Sequence, residues 1–582
     1  IPVLTLALAG DVERATRVHA WVYGLNTAGA FAGALAAGFL LIPWLGLDGV
    51  VYAMGCLNLM AAALFAQLDR FAARVAPDLA GSSAAEPVRH FAAWAAVALL
   101  AGFAMMALQT TFNRIGALAL GASQFTFAMV VAVFVLCIAL GSLFVSALER
   151  ISRGLVVGSQ WALVFLLLLL YLGIDDVAYW AHVLRVLFRP VDPAFFAYYG
   201  LVFAAVLVVL LVPIGLGGAL LPMLFDQLRR QLRELGAVAG RLYAWNTVGS
   251  LLGALLGGYV LLFWLDLDQV YRIALAALAL GASILTWLVL RPLPRVVPAL
   301  LFCATLLSIG LLPEWSAARL TTGAFRARQP TPTSFAGPEA FFAQRVRGRI
   351  AFFDDDPTST VSVLEPSEHP ENLGLIVNGK SDGALQSDYP TMALSALLPA
   401  LMAHRHERAF VIGLGTGVTA GELAALEQTR SVRVAEISRG VIAANPLFDA
   451  GNLAASKNPK IEVVRADAYR ALLQSTDRYD VIVSEPSNPW VTGVEMLYSK
   501  EFLEAARSRL TPGGVYAQWF HLYEVDEASV EIVARTYASV FDQVAVWLAQ
   551  GPDIILMGLN SPQGYPDLET IRARSERPDY RA

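Results

Sequence analysis

Between residues 408 and 490, four short apolar runs each end in a residue type that can grip a nucleoside or move a proton. The first, residues 409–412, leads into Gly413-Leu414-Gly415-Thr416-Gly417. Glycines at such a turn let the backbone approach a ligand closely and open a helix. The second, 432–435, ends in Glu436, about 20 residues past the loop, where an acid can accept both hydroxyl hydrogens of a ribose. The third, 461–465, precedes Asp467-Ala468, where an acid can reach an adenine amino group. The fourth, 479–484, ends in Glu485-Pro486-Ser487-Asn488-Pro489-Trp490, a carboxylate followed by a polar turn. Any one of these acids also reads as a solvated loop residue. Their order at successive strand ends points to a nucleoside site with a proton-handling carboxylate, since open α/β sheets bind ligands at the carboxyl ends of their strands. An acid on the ribose also suits NAD, but Asp467 and the Glu485 segment fit an S-adenosylmethionine arrangement better.

The elements that must position these residues follow from the pattern around them. From Arg408 the chain alternates strand, loop and helix, which predicts a doubly wound, Rossmann-like α/β domain. Ahead of it, runs at 349–353, 360–365 and 373–378 alternate with period two and predict a small antiparallel sheet. Residues 314–345, broken by Pro330, Pro332 and Gly337, read as a linker. Trp490, Tyr498, Gln518, Trp519, His521 and Tyr523 fall near the expected pocket, as a wall that stacks on a base or cages a cation, or as ordinary core. Asp354-Asp355-Asp356 reads as a solvated turn rather than a metal site.

The first half is different. Of the 582 residues, 57% are apolar and 15% charged, against about a quarter charged in a soluble protein. The deficit is concentrated in residues 1–313. A span needs about 20 apolar residues, and nine runs qualify: 21–43, 46–68, 91–114, 124–148, 155–173, 195–217, 243–265, 270–290 and the short 295–313, which carries Pro298. This predicts a polytopic helical membrane domain. The net charge of -5 points to no nucleic-acid partner, and Cys56, Cys137 and Cys303 form neither a disulfide framework nor a zinc spacing.

An internal repeat runs through this half. Tyr23-Gly24-Leu25-Asn26-Thr27-Ala28-Gly29 matches Tyr243-Ala244-Trp245-Asn246-Thr247-Val248-Gly249 at an offset of 220, which also aligns Pro2 with Pro222, Gly33 with Gly253 and Asp48 with Asp268. Repeated halves are common in transporter folds. Because a helix precedes Pro222 and nothing precedes Pro2, the expectation is a start inside the first repeat. Gly29/Gly33 and Gly249/Gly253 have the spacing of close helix packing. Asn26, Asn246, Gln109, Asn113 and Arg114 are polar groups within or at the ends of spans. One set of loops holds Arg14, Arg17, Arg70, Arg74, Arg89, Arg150, Arg153, Arg229, Arg230, Arg233, Arg241, Arg291 and Arg295; the other holds Arg114, Arg185, Arg189 and Arg272. The first set is expected on the cytoplasmic side. If 295–313 spans, the soluble part emerges outside, although cofactor supply favours the cytoplasm.

Several phrases resemble the spermidine synthase (polyamine aminopropyltransferase) family over residues 349–550, in its membrane-fused, multi-pass branch. They are Asn378-Gly379-Lys380-Ser381-Asp382-Gly383-Ala384-Leu385-Gln386, residues 411–417, 434–437, 479–489 and 497–502. The resemblance implies transfer of an aminopropyl group from decarboxylated S-adenosylmethionine to an amine or polyamine. It implies Glu485, where the family has Asp, as the base. It implies cofactor contacts from Gly413, Gly415, Thr416, Gly417, Glu436, Asp467, Ala468 and Gln386, and acceptor contacts from Asp382, Asp388, Asn488, Trp490 and Tyr498. The chain departs from the pattern at Asn488, where the family has a second acid, and at Thr416, where the loop carries an Asp. The tyrosine and histidine expected after the D-G-x-x-Q segment fall near Met392 and Ala393. Loss of the loop acid suits intact S-adenosylmethionine as well, with methyl or aminocarboxypropyl transfer. The alternatives are a methyltransferase on a membrane-proximal substrate and a non-catalytic sensor or transporter of polyamines or nucleosides. The expected organisation is a membrane domain at 1–313, a linker at 314–345, a small β-sheet at 346–390 and the α/β domain at 391–582. A bilayer is the expected partner, no metal is implied, and a homodimer is left open.

Overall fold

A computed structural model describes residues 15–72, 90–229, 235–290, 293–562 and 564–581. Pro2 and Arg14, Arg74, Arg89, Arg230, Arg233 and Arg291 lie outside the described residues. The chain divides into two compact units, one of helices up to Trp315 and one from Ser316 to the end, the latter including residues 121–123.

The helical unit follows from composition, because long apolar runs with few turn residues satisfy their backbone polar groups within one helix. Its main helices are α1 (Ala15–Ala36), α2 (Ile42–Ala72), α3 (Phe91–Leu120), α4 (Gln124–Ala147), α5 (Arg153–Leu172), α6 (Val177–Val186), α7 (Phe195–Arg229), α8 (Leu235–Leu252), α9 (Leu267–Val289) and α10 (Val296–Gly310). Among the described residues, seven helices are long and apolar enough to cross a bilayer. The count differs from nine for two reasons. The runs at 21–43 and 46–68 are continuous enough to count as one apolar stretch, Trp21–Gln67, although Gly46, non-helical with a φ of 69°, divides it into two helices. The ninth run forms a helix of only 15 residues.

The repeat is visible in three dimensions. Tyr23 and Tyr243, equivalent in the two copies, meet with ring centroids 5.8 Å apart. Both copies relax into π-helix at overlapping equivalent positions, 37–41 and 253–260. The glycine pairs behave differently. A Cβ on Gly249 would lie 2.0 Å from the Leu99 carbonyl oxygen and one on Gly253 would lie 2.2 Å from that of Phe103. This pair therefore lets α8 and the π-turn touch α3. Added Cβ atoms on Gly29 and Gly33 meet nothing within 4 Å among the described residues, so the packing expected there is absent. Asn246 donates to the Ala98 carbonyl at 3.0 Å, whereas its counterpart Asn26 is exposed.

The second unit begins with the stretch expected as a linker. It instead holds helices α11 (Ala317–Leu320) and α12 (Pro338–Arg345), with Phe341 and Phe342 buried; the prolines shape turns without releasing the chain from the core. A four-stranded antiparallel sheet follows, β1 (Gly348–Asp355), β2 (Thr360–Pro366), β3 (Gly374–Val377) and β4 (Lys380–Ala384). Asn378-Gly379, with φ of 50° and 77°, makes the two-residue turn between β3 and β4 that such a dipeptide favours. Next come α13 (Tyr389–Met402), β5 (Arg408–Ile412), α14 (Val418–Ala425), β6 (Ser431–Glu436), α15 (Arg439–Ala444), β7 (Ile461–Arg465), α16 (Ala468–Gln474), β8 (Tyr479–Ser484), α17 (Lys500–Ser508), β9 (Leu510–His521), α18 (Glu527–Val540), β10 (Gln543–Leu548) and β11 (Asp553–Asn560). The seven-stranded sheet has the order β10-β11-β9-β8-β5-β6-β7. β5 to β9 are parallel, and β11 and β10 return antiparallel. Alternation splits its core in two. Val411, Val434, Val483 and Ala517 pack in one cluster, and Phe410, Ile482, Tyr516 and Phe520 in another.

The Asp354–Asp356 turn is not solvated. Asp356 is fully buried, accepts from the Gly440 amide at 3.0 Å and bonds Ser438, tying the small sheet to the start of α15. Five hydrogen-bond donors, from Thr358, Ser359, Ser438 and Gly440, compensate its burial and hold its carboxyl below the usual range.

Candidate active site

The glycine loop leaves β5 with Gly413, Gly415 and Gly417 all in the left-handed region, at φ of 84°, 53° and 85°. Gly417 opens α14, and a Cβ there would meet the side-chain nitrogens of Asn445 and Asn452 at 2.6 and 2.8 Å. A Cβ on Gly415 meets nothing within 4 Å, so the loop presents bare backbone on that side. Thr416 is buried, with its hydroxyl on the Met392 sulfur at 3.1 Å and its carbonyl held by Asn452. Glu436, at the end of β6, accepts from the amides of Leu414 at 2.8 Å and Ser438 at 2.7 Å. Burial raises its carboxyl, and those amides oppose the shift. Each oxygen keeps a second lone pair for a ligand hydroxyl. Asp467 is exposed and caps α16 through the Arg470 amide at 2.9 Å, with Ala468 as the first helical residue.

Glu485 follows β8. Its Oε2 accepts from the Thr419 hydroxyl at 2.6 Å, while Oε1 is sealed from solvent and makes no well-formed hydrogen bond, with the Ser395 hydroxyl lying beside the carboxyl. Burial pushes the carboxyl up to about 7, against the pull of the Thr419 and Ser395 hydroxyls. A buried acceptor without a well-formed bond is costly, so Oε1 marks a place where a donor is wanted.

Across from it, Asp382 on β4 accepts from Lys380 at 2.7 Å and from Ser487 at 2.9 Å. Lys380 is only 5% exposed, so its charge is matched inside the site. Asn488 is fully buried, its side-chain nitrogen 2.8 Å from Nε2 of His521. Burial, with Lys380 and Arg326 nearby, pushes His521 down to about 4. The neutral ring accepts from Asn488 at Nε2 and carries its proton on Nδ1. His521 stacks on Trp519 with centroids 5.4 Å apart and meets Tyr523 at 4.4 Å. Asp388 accepts from the Ala384 amide at 2.8 Å at the start of α13. Gln386 is exposed and lines a cleft with Pro370, Tyr389 and Gly451. Trp490 is half-buried, edge-on to Phe325.

Two expected pocket residues lie elsewhere. Tyr498 is buried against Phe520, and its hydroxyl donates to the Trp519 carbonyl at 3.2 Å. Gln518 is buried between Tyr537 and the Leu497 carbonyl. Strand alternation explains both, because Gln518 and Phe520 face away from Trp519 and His521. Sequence reasoning missed Thr419, Ser395 and Asp553. It quoted Lys380 without a role, although the irregular register of β4 at Asp382 brings the two into an ion pair.

Sheet order, glycine loop and strand-end acids define the class: a Rossmann-like α/β domain with its candidate site at the strand ends. Within it, residues 395–560 match the family model described as the spermine/spermidine synthase domain. A protein named polyamine aminopropyltransferase 2 from Pseudomonas aeruginosa is 30% identical over 182 residues, 30% of this chain and 52% of that protein. One of the same name from Streptomyces coelicolor is 27% identical over 303 residues, 51% of each. The chain spans about half the length of these curated relatives. A crystal structure of spermidine synthase with the transition-state analogue AdoDATO aligns at 16% identity and a TM-score of 0.36, covering 40% of this chain and 79% of that one.

Proposed function

We propose that the second unit transfers an aminopropyl group from decarboxylated S-adenosylmethionine to an amine acceptor. The observation that carries this reading is Glu485, a sealed carboxylate with one oxygen oriented by Thr419 and the other making no well-formed hydrogen bond. A sulfonium supplies an activated methylene. The acceptor nitrogen forms a bond to that carbon as the carbon–sulfur bond breaks, and methylthioadenosine leaves with the electron pair. Glu485 Oε1 takes the proton that the nitrogen sheds. A carboxyl near 7 suits both holding and releasing that proton. The bare backbone at Gly413–Gly417, Glu436 and the Asp467-Ala468 helix start hold the nucleoside; Asp382, Asp388, Asn488 and Trp490 line the acceptor side. The test is by-product analysis of detergent-purified protein given either form of the cofactor and putrescine. Methylthioadenosine from the decarboxylated form supports the reading, and its absence under saturating conditions refutes it.

Thr416 favours a second reading. Its buried side chain leaves no acid on the loop to pair with a lone ammonium, which suits the intact cofactor. In that case the same assay yields methylthioadenosine, or S-adenosylhomocysteine for methyl transfer, from intact S-adenosylmethionine.

The seven apolar helices favour a multi-pass membrane location. Ser283 of α9 bonds the Pro298 carbonyl and Arg272 bonds that of Pro313, so 298–313 runs back along α9. By loop charge, the chain beyond Pro313 then leaves the bilayer on the face opposite the arginine-rich side. Labelling of a single cysteine at Ser508 by a membrane-impermeant reagent in intact cells supports this side; protection until lysis refutes it.

A further inference from the structure

Holding a polyamine takes a carboxylate for each ammonium, and the acids around Glu485 are mostly engaged. Asp382 is neutralised by Lys380. Glu436 serves the glycine loop. The turn after β8 offers only Asn488, which is spent on His521. Asp388 accepts from the Ala384 amide. A further carboxylate is marked by no motif. Asp553 opens β11, directly opposite His521 in the β9–β11 register. Its Oδ2 accepts from Thr391 at 3.1 Å, and the Trp519 indole bonds it as well. Burial raises its carboxyl, against the Thr391 and Trp519 hydrogen bonds; Asp388 adds to the shift and Lys380 opposes it.

Helix α13 relates this carboxylate to Glu485. Thr391 touches Asp553, and Ser395, four residues on, lies beside Glu485. Residues so spaced share a helix face, about 5–6 Å apart at Cβ. Trp519, His521 and Tyr523 form the adjoining wall, with His521 neutral, and aromatic faces attract ammonium groups.

We propose that Asp553, set by Thr391 and walled by Trp519, His521 and Tyr523, binds the non-reacting ammonium of the acceptor and so selects an aliphatic diamine over a monoamine. The assignment rests on the amine-acceptor reading above. It moves the cation-holding charge from the turn after β8, where Asn488 stands, to the start of β11.

The test uses the full chain in detergent with putrescine and n-butylamine as acceptors. Asp553→Asn raises the KM for putrescine roughly tenfold to a hundredfold, the worth of one charge-assisted hydrogen bond. It leaves the KM for the cofactor and the rate with n-butylamine near wild type, so the diamine preference collapses. Equal losses on both amines, or an unchanged preference, overturn the proposal. Thr391→Val, which removes only the orienting hydroxyl, weakens putrescine a few-fold and decides the matter if Asp553→Asn does not fold; an unchanged putrescine KM then overturns it. If the wild type releases no product, the reaction reading fails by itself. Calorimetric binding of putrescine, lost in Asp553→Asn or weakened in Thr391→Val, then supports this inference alone, and binding unaffected by either variant overturns it.

Discussion

Replacing Glu485 by Gln separates its two properties, proton transfer and burial. Glutamine keeps the shape and mimics the protonated acid. Loss of a general base lowers kcat by roughly 10²–10⁴-fold. In the wild type, kcat rises as pH passes through about 7, because the base acts when deprotonated. The stability effect has its own sign. The folded carboxyl binds its proton more tightly than the ordinary glutamate value of 4.5 allows. Its contribution is therefore fully present below pH 4.5 and is lost as pH rises through about 7. At about 1.4 kcal/mol per pH unit, the ceiling is about 3 kcal/mol. Glu485→Gln should match the wild type near pH 5 and melt several degrees higher at pH 8.5, since about 1 kcal/mol moves Tm by roughly 2–4 °C in a unit of this size. Thermal scans of both proteins in detergent across pH 5–8.5 measure the gap. A gap that stays constant across that range would show that the carboxyl titrates normally and refute the argument from burial.

Gly249→Ala drives a methyl against the Leu99 carbonyl and should cost about 1–3 kcal/mol, read as a lower Tm in detergent; its repeat partner, Gly29→Ala, stays within about 0.5 kcal/mol. Lys380→Met strands Asp382 and should cost about 3–5 kcal/mol by denaturant midpoint. Adding Asp382→Asn should recover much of the loss. Tyr498→Phe should leave the acceptor KM unchanged and cost about 1 kcal/mol of stability, because its hydroxyl bonds backbone within the core.

Local signals made the fold legible. Period-two alternation before strand-end acids specifies a doubly wound sheet, and long apolar runs specify long apolar helices, because both patterns depend on neighbours along the chain. The repeat was legible for the same reason. The equivalence of its packing was not. Gly249 and Gly29 sit in matching heptapeptides, yet among the described residues only Gly249 meets a backbone. The reason is that α8 packs on α3 through that glycine, whereas α1 packs on a different helix, α4, through Gly24 and the π-turn glycine Gly38. The acidic turn at 354–356 misled because three aspartates in a row look solvated, while Asp356 finds two of its five donors about 80 residues away at Ser438 and Gly440.

In the candidate site the division is the same. The sequence by itself determined the residues carried at strand ends: the loop glycines, Glu436, Asp467 and Glu485, each announced by the strand before it. Only the tertiary structure decided what those residues meet. Thr419 and the sealed Oε1 set the character of Glu485, Lys380 cancels Asp382, His521 occupies Asn488, and Asp553 arrives on an antiparallel strand at the far side of β9. A side chain's charge state depends on burial and on partners brought from distant positions, and no local spacing encodes either.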